Sequence, residues 1–275
     1  GILGGTGPYT YAWNNGTTNS SLTNVSAGAY TLNVTDANNC NAVFNYAISQ
    51  PNAALAINLT GVNILCFGNA TGSANALVSG GTSPYVLAWS NGSSNTGIQN
   101  LLAGTYNLTV TDQKGCVANQ SITLTQPLAG LSLTLSKTDV LCFGESTGAV
   151  SSEVDGGTPG YTYLWNNGSV DQNIQSVIAG TYDLTVTDGK GCTINDNSTV
   201  IQPLAPLNIT SVVTDVDCYG SNTGSIDVTT TGGTTPYYFA WSNSGTIVMV
   251  DTTEDVSNLL IDDYEIIVTD AHGCI

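Results

Sequence analysis

Seven cysteines and a single histidine are the residues of this 275-residue chain with the most distinctive chemistry. The cysteines fall into two series. Cys40, Cys116 and Cys192 stand 76 residues apart, as do Cys66, Cys142 and Cys218, and Cys274 follows Cys192 after 82. Isolated cysteines with no histidine nearby do not make a tetrahedral zinc site. They can form disulfides, which persist only in an oxidising, extracytosolic compartment. The odd number allows two regular schemes. Pairing within a repeat joins Cys66–Cys116, Cys142–Cys192 and Cys218–Cys274 and leaves Cys40 unpaired. Pairing across each junction joins Cys40–Cys66, Cys116–Cys142 and Cys192–Cys218 and leaves Cys274.

The other chemistry is sparse. His272 occupies a turn position held by asparagine or lysine elsewhere, with no serine or cysteine partner at a triad spacing. No phosphate loop or dinucleotide fingerprint is present, so the expectation is no enzyme and no resident cofactor. Calcium is the one ligand to consider, because hard oxygen donors bind it. Asp188 and Asp270 lie in one kind of turn, and Asp139, Asp215 and Asp217 precede the cysteine of another. The competing reading of these aspartates is that they cap turns.

Only 8% of residues are charged, with three lysines, no arginine and a net charge of −17. A chain so poor in cations lacks the basic surface that nucleic acid requires and the polybasic patch that anionic lipid attracts. No apolar run is long enough for a transmembrane helix. The acids concentrate in the second half, with eight in residues 128–203 and ten in 204–275.

The cysteines are positioned by a repeat. Trp13, Trp89, Trp165 and Trp241 are 76 residues apart, a period too long for a solenoid turn and long enough for a small domain. The expected units are 1–50, which is partial, 51–127, 128–203 and 204–275, the last without its final strand; the chain reads as a section of something longer. In the second unit Leu55, Ile57 and Leu59 alternate, then Ala74, Ala76 and Val78, then Tyr85, Leu87 and Trp89. A short strand over Ile98 to Leu102 follows, then one with Tyr106, Leu108 and Val110, then one ending at Leu124. Aromatic residues at every second position make a core stripe. The candidate core is therefore Trp13, Trp89, Trp165 and Trp241, with Tyr30, Tyr106, Tyr182 and Tyr264. Each of these tyrosines heads a strand after a tight turn, like the tyrosine corner of immunoglobulin-type sandwiches. Six or seven short strands with regular turn signals predict an all-β chain of tandem immunoglobulin-like antiparallel sandwiches.

In an up-and-down order of six strands, the turn between the first two and that between the last two fall at the same end. Both cysteines of a unit lie in those turns, which favours the pairing within a repeat. Gln-Pro recurs at 50–51, 126–127 and 202–203 and leads into the next unit within about four residues, so a stiff rod is expected rather than a flexible string.

Gly80 to Gly92, reading Gly-Gly-Thr-x-Pro-Tyr-x-x-x-Trp-x-Asn-Gly, and Gly104 to Cys116, reading Gly-Thr-Tyr-x-Leu-Thr-Val-Thr-Asp-x-x-Gly-Cys, resemble the SprB repeat of Bacteroidetes surface proteins, and their counterparts extend the resemblance over essentially the whole chain. The fourth unit departs from it: Asp262-Asp263-Tyr264 replaces Gly-Thr-Tyr, and six extra residues fall between Trp241 and Tyr264. The resemblance implies a long filamentous adhesin exported by the type IX system, attached at the outer membrane and used in adhesion or gliding motility. This chain would be part of the stalk that presents a distal binding region and transmits force. Its partners would be neighbouring repeats and surface polysaccharide or other cell-surface proteins. The alternative is an extracellular module that itself binds carbohydrate or calcium.

Overall fold

The computed structural model describes residues 1–243, 246–249 (backbone only) and 253–275. They form two compact units, Gly1–Val62 with Gly72–Leu124, and Asn63–Thr71 with Thr125–Ile275. All the regular structure described is β. The first repeat supplies β1 (Thr10–Trp13), β2 (Gly28–Thr35) and β3 (Asn41–Ile48). The second supplies β4 (Ala56–Val62), β5 (Gly72–Ser79), β6 (Val86–Trp89), β7 (Gly97–Leu101), β8 (Gly104–Thr111) and β9 (Val117–Leu124). The third repeats that order as β10 (Ser132–Thr138), β11 (Gly148–Asp155), β12 (Thr162–Trp165), β13 (Ile174–Val177), β14 (Gly180–Thr187) and β15 (Thr193–Val200). The fourth has β16 (Asn208–Thr214), β17 (Gly224–Thr231), β18 (Tyr238–Asn243), β19 (Thr246–Met249), β20 (Val256–Leu259) and β21 (Tyr264–Thr269).

The third repeat lies wholly within one unit and shows the architecture most fully. Its first, second and fourth strands form one antiparallel sheet, in the order β10-β11-β13, and its third, fifth and sixth form the other, β12-β14-β15. This division of strands between two sheets is that of the immunoglobulin-like sandwich. Alternation decides which residues face between them. Val150, Trp165, Ile174, Val177, Tyr182, Leu184, Val186 and Val200 are buried together, with Leu133, Leu135 and Val154 packed against them. Ile174 and Val177 are three positions apart, so a regular strand would point them to opposite faces. The pairing of β11 with β13 shifts register, and Ser176 takes a left-handed φ of 53°. That bulge turns both side chains inward.

The turn after β11 depends on glycine. Gly156 has φ +72°, and a Cβ there would lie 2.0 Å from the Gly130 carbonyl oxygen. An L side chain meets both penalties at once. Gly156→Ala is therefore expected to destabilise the third repeat by several kcal/mol (order ~3), measured as an earlier melting transition. Gly168→Ala, whose added Cβ meets nothing within 4 Å, isolates the cost of the positive φ alone.

The fourth repeat pairs β16-β17-β20 and β19-β18-β21. The six extra residues lie in the stretch that contains β19, a strand added to the free edge of β18; of that stretch, 244–245 and 250–252 fall outside the described residues. In the first repeat β1, β2 and β3 form one three-stranded sheet.

Candidate functional site

The site is built from two loops that recur in every complete repeat, one after the first strand and one between the last two strands. In the third repeat the first loop is 139–147. The Asp139 carboxylate accepts the Ile201 N–H at 2.8 Å, and Val140 N–H donates to the Ile201 carbonyl at 2.9 Å. The Gln202 side-chain oxygen accepts the Gly144 N–H at 2.9 Å. The same set recurs 76 residues earlier, where Asn63 accepts from Thr125 and Gln126 from Gly68. Gln126 and Gln202 thus each hold the Cys-Phe-Gly loop of their own repeat, a role their sequence spacing marked without revealing.

The second loop is folded around an aspartate. Asp188 is 4% exposed. One carboxylate oxygen accepts the N–H groups of Lys190 at 2.8 Å and Cys192 at 2.9 Å; the other reaches across to the Thr158 N–H at 2.9 Å, in the turn after β11. Asp112 and Asp270 make the same three bonds in their repeats, and Asp36 does so in the first. Burial alone would raise the Asp188 carboxyl, yet the N–H donors of Cys192, Thr158, Lys190 and Gly191 together outweigh it and hold its pKa below the ordinary 3.8. Asp270 is likewise pushed up by burial and pulled further down, by the N–H groups of Cys274, Thr234 and His272 and by the His272 charge. A carboxyl depressed in the folded state stabilises the fold above its unfolded pKa near 3.9, and that contribution disappears as pH falls through the folded value. Asp188→Asn is therefore expected to cost about 2 kcal/mol at pH 7. Thermal melts of variant and wild type should converge as the pH is lowered below about 4.

The two loops lie at opposite ends of a repeat. In the third, the Asp188 loop meets Thr158, and Gly157 N–H bonds the Ala129 carbonyl, so these mark one end. The Cys142 loop meets Ile201 and Gln202 at the other. β11 is antiparallel to both β10 and β13, and β14 to both β12 and β15. The third and fourth strands consequently run the same way, because the connection 166–173 travels the length of the repeat. That one traverse reverses the parity of a simple up-and-down order. Cys142 and Cys192 are separated by roughly 24 Å, the length of a seven-residue strand, well beyond the reach of a disulfide.

The cysteines pair accordingly. Cys66 is bonded to Cys192 and Cys142 to Cys274, with Cα–Cα distances of 5.7 and 5.6 Å. The pairs Cys66–Cys116, Cys142–Cys192 and Cys218–Cys274 expected within repeats are not formed, nor are Cys40–Cys66, Cys116–Cys142 and Cys192–Cys218. Instead the first-loop cysteine of one repeat meets the aspartate-loop cysteine of the next. Cys40, Cys116 and Cys218 are free and exposed. His272 sits at the bonded junction of the third and fourth repeats, its Nδ1 donating to the Leu141 carbonyl at 3.3 Å.

Trp89, Trp165 and Trp241 are 4, 1 and 3% exposed, and Trp13 is half-buried. Tyr182 is buried, and Tyr30, Tyr106 and Tyr264 are partly so. Each hydroxyl donates to the carbonyl four residues upstream, Ser26, Leu102, Ile178 and Leu260 respectively for Tyr30, Tyr106, Tyr182 and Tyr264. The corner is therefore present in the fourth repeat despite Asp262-Asp263. The five aspartates considered for calcium are not brought together. Asp188 and Asp270 are occupied by backbone N–H groups, Asp139 is paired with Lys137 at 2.9 Å at the end of its repeat opposite Asp188, and Asp215 and Asp217 are exposed. Among the described residues no three His, Cys, Asp or Glu side chains cluster in a way that could hold a metal ion.

The family model of the SprB repeat matches residues 58–94, 134–170 and 210–246. No curated protein matches the chain. Among solved structures, the chain is similar to the tetra-tandem repeat in the extending region of a large adhesion protein, at 15% identity over 96% of this chain and 80% of that one, with a TM-score of 0.25. It is also similar to the N-terminal eight Ig domains of Down syndrome cell adhesion molecule, at 10% identity over 88% of this chain, TM-score 0.24. A third similarity is to extracellular domains 3–5 of Drosophila OTK, at 14% identity over 64% of this chain and 71% of that one, TM-score 0.28. The chain spans half the length of the eight-domain structure.

Proposed function

We propose that this chain, three stretches of which match the SprB repeat, serves as a covalently braced stalk segment of a cell-surface adhesin, carrying tension between an attachment and a distal binding region. The observation that supports this reading is the common register of the two disulfides. Both run from the first loop of one repeat to the aspartate loop of the next, across the Pro127 and Pro203 junctions where a string of small domains would otherwise be held by single strands of chain. A bond placed there ties the two repeats together at the joint and closes a long loop of chain, so it also stabilises the folded repeats it spans. Two disulfides also fit a working place outside the cytosol. Type IX export, attachment at the outer membrane and service in gliding are the setting this reading implies.

The competing reading is a module that binds carbohydrate or calcium. Calorimetric melting of the whole chain separates the two. A stalk is expected to melt at the same temperature with or without calcium or surface-polysaccharide fragments, and earlier after reduction. A sugar- or calcium-dependent rise in Tm, with reduction leaving the melt unchanged, would overturn the stalk reading.

A further inference from the structure

The loop 215–223 at the end of the fourth repeat is the counterpart of the two loops that carry Cys66 and Cys142, yet its cysteine, Cys218, is free. The residue after the cysteine tells the same story independently. Phe67 and Phe143 are 48 and 44% exposed, and Phe67 lies against Gly130 of the third repeat, close enough that a Cβ there would meet its ring at 3.5 Å. Tyr219, in the equivalent place, is fully exposed. A fully solvated aromatic beside a free thiol, in a loop whose two counterparts are both bonded to the next repeat and hold their aromatics about half-exposed, leaves this loop without the neighbour the other two have. The loop is otherwise folded for the purpose. Ser221 N–H bonds the Cys218 carbonyl at 3.0 Å, and Asp217 N–H bonds the Thr223 hydroxyl at 2.9 Å, as Leu141 N–H bonds Thr147.

Building on the stalk reading, we propose that this loop is an open half-clasp that takes the Asp-x-x-Gly-Cys turn of a further SprB repeat, with Cys218 bonding that turn's cysteine and Tyr219 covered by its end. The partner's chemistry follows from the closed examples: a cysteine whose N–H is held by an aspartate carboxylate, as in Cys192 and Cys274. In a solution containing oxidised glutathione, the Cys218 thiolate attacks the glutathione disulfide and releases one reduced glutathione. The turn's thiolate then attacks the Cys218 sulfur of the mixed disulfide and releases the second. Two thiols are oxidised, one glutathione disulfide is reduced, and the two thiol protons end on the two glutathiones.

The chain itself supplies a probe, since Cys40 and Cys116 are free cysteines in turns clamped by Asp36 and Asp112. A Cys40→Ser/Cys116→Ser copy, whose free thiol is Cys218, is mixed with a Cys218→Ser copy in glutathione buffer, and the products are mapped by peptide analysis without reduction. The expected product is a mixed dimer joining Cys218 to Cys40 or Cys116, formed at least tenfold faster than symmetric Cys218–Cys218 dimers, and slowed several-fold by Tyr219→Ser. The double-serine copy must keep the Cys66–Cys192 and Cys142–Cys274 bonds, which shows that it folds. Symmetric dimers at a comparable rate, glutathionylated monomer alone, or indifference to Tyr219→Ser would each overturn the half-clasp. None of these outcomes bears on whether the closed junctions carry load, which is read separately from reduction of the bonded pairs.

Discussion

Pulled from its two ends in oxidising buffer, the chain between Cys66 and Cys274 is expected to yield about 170 Å of contour when every repeat in it has unfolded, and about 700 Å after reduction, at ~3.4 Å per residue. The difference follows from how the bonds interleave. Their sequence separations are 126 and 132, and Cys142 lies inside the span closed by Cys66 and Cys192. The shortest covalent route enters at Cys66, crosses to Cys192, runs back through the third repeat to Cys142 and crosses to Cys274. Only the fifty residues from Cys142 to Cys192 then set the limit. The third repeat is accordingly loaded between its two loops at opposite ends, rather than between its termini. Single-molecule extension with and without reductant measures this directly. Equal contour lengths in the two buffers would show that the bonds do not close the junctions, and the stalk reading would lose its support.

The second large effect is in the core. Trp165→Ala is expected to destabilise the third repeat by about 3–5 kcal/mol, which for a domain of this size lowers its melting transition by roughly 15–30 °C. Trp165 is 1% exposed and belongs to the cluster with Leu184, Val186 and Val200, so truncation leaves a void that the two sheets cannot close. Trp13 provides the control. Its indole N–H makes the same kind of bond to a carbonyl six residues on, at 3.0 Å against 2.9 Å for Trp165. It is only half-buried, however, and packs on Tyr46 with ring centroids 5.8 Å apart. Trp13→Ala should cost less than half as much. Equal losses would mean that the hydrogen bond, rather than burial, is what the tryptophan contributes.

Strand alternation around Leu184 and Val186 and the 76-residue spacing made the all-β, immunoglobulin-like class legible, because burial on one face of a pleated strand writes itself into every second residue. That the cysteines form disulfides was legible from their isolation and from the absence of nearby histidine. Their partners were not. Pairing depends on which end of a repeat each loop occupies, and that hinges on whether residues 166–173 turn back beside β12 or travel the length of the domain. Asn166-Asn167-Gly168 reads locally as a tight turn in either case. Trp165 N–H on the Asp171 carbonyl and Ser152 on Gln172 and Asn173 hold the longer course, and those are contacts between strands that local pattern does not encode. The bulge at Ser176 was hidden for the same reason. The long reach of Asp188 to Thr158 had a partial signal, since an aspartate recurs before every Gly-Cys pair, but its distant partner is a backbone N–H, which leaves no mark on residue type.

The overlap of the two sulfur bridges also bears on how the molecule responds to proteolysis. Every peptide bond from Cys66 to Cys274 lies inside at least one closed ring, and those between Cys142 and Cys192 lie inside both. A single nick anywhere in that span, including at the fully exposed Leu204, opens the backbone without parting the pieces. Failure there needs two cuts or one cut and a reductant, so within that span even the most accessible stretch is not a point of breakage.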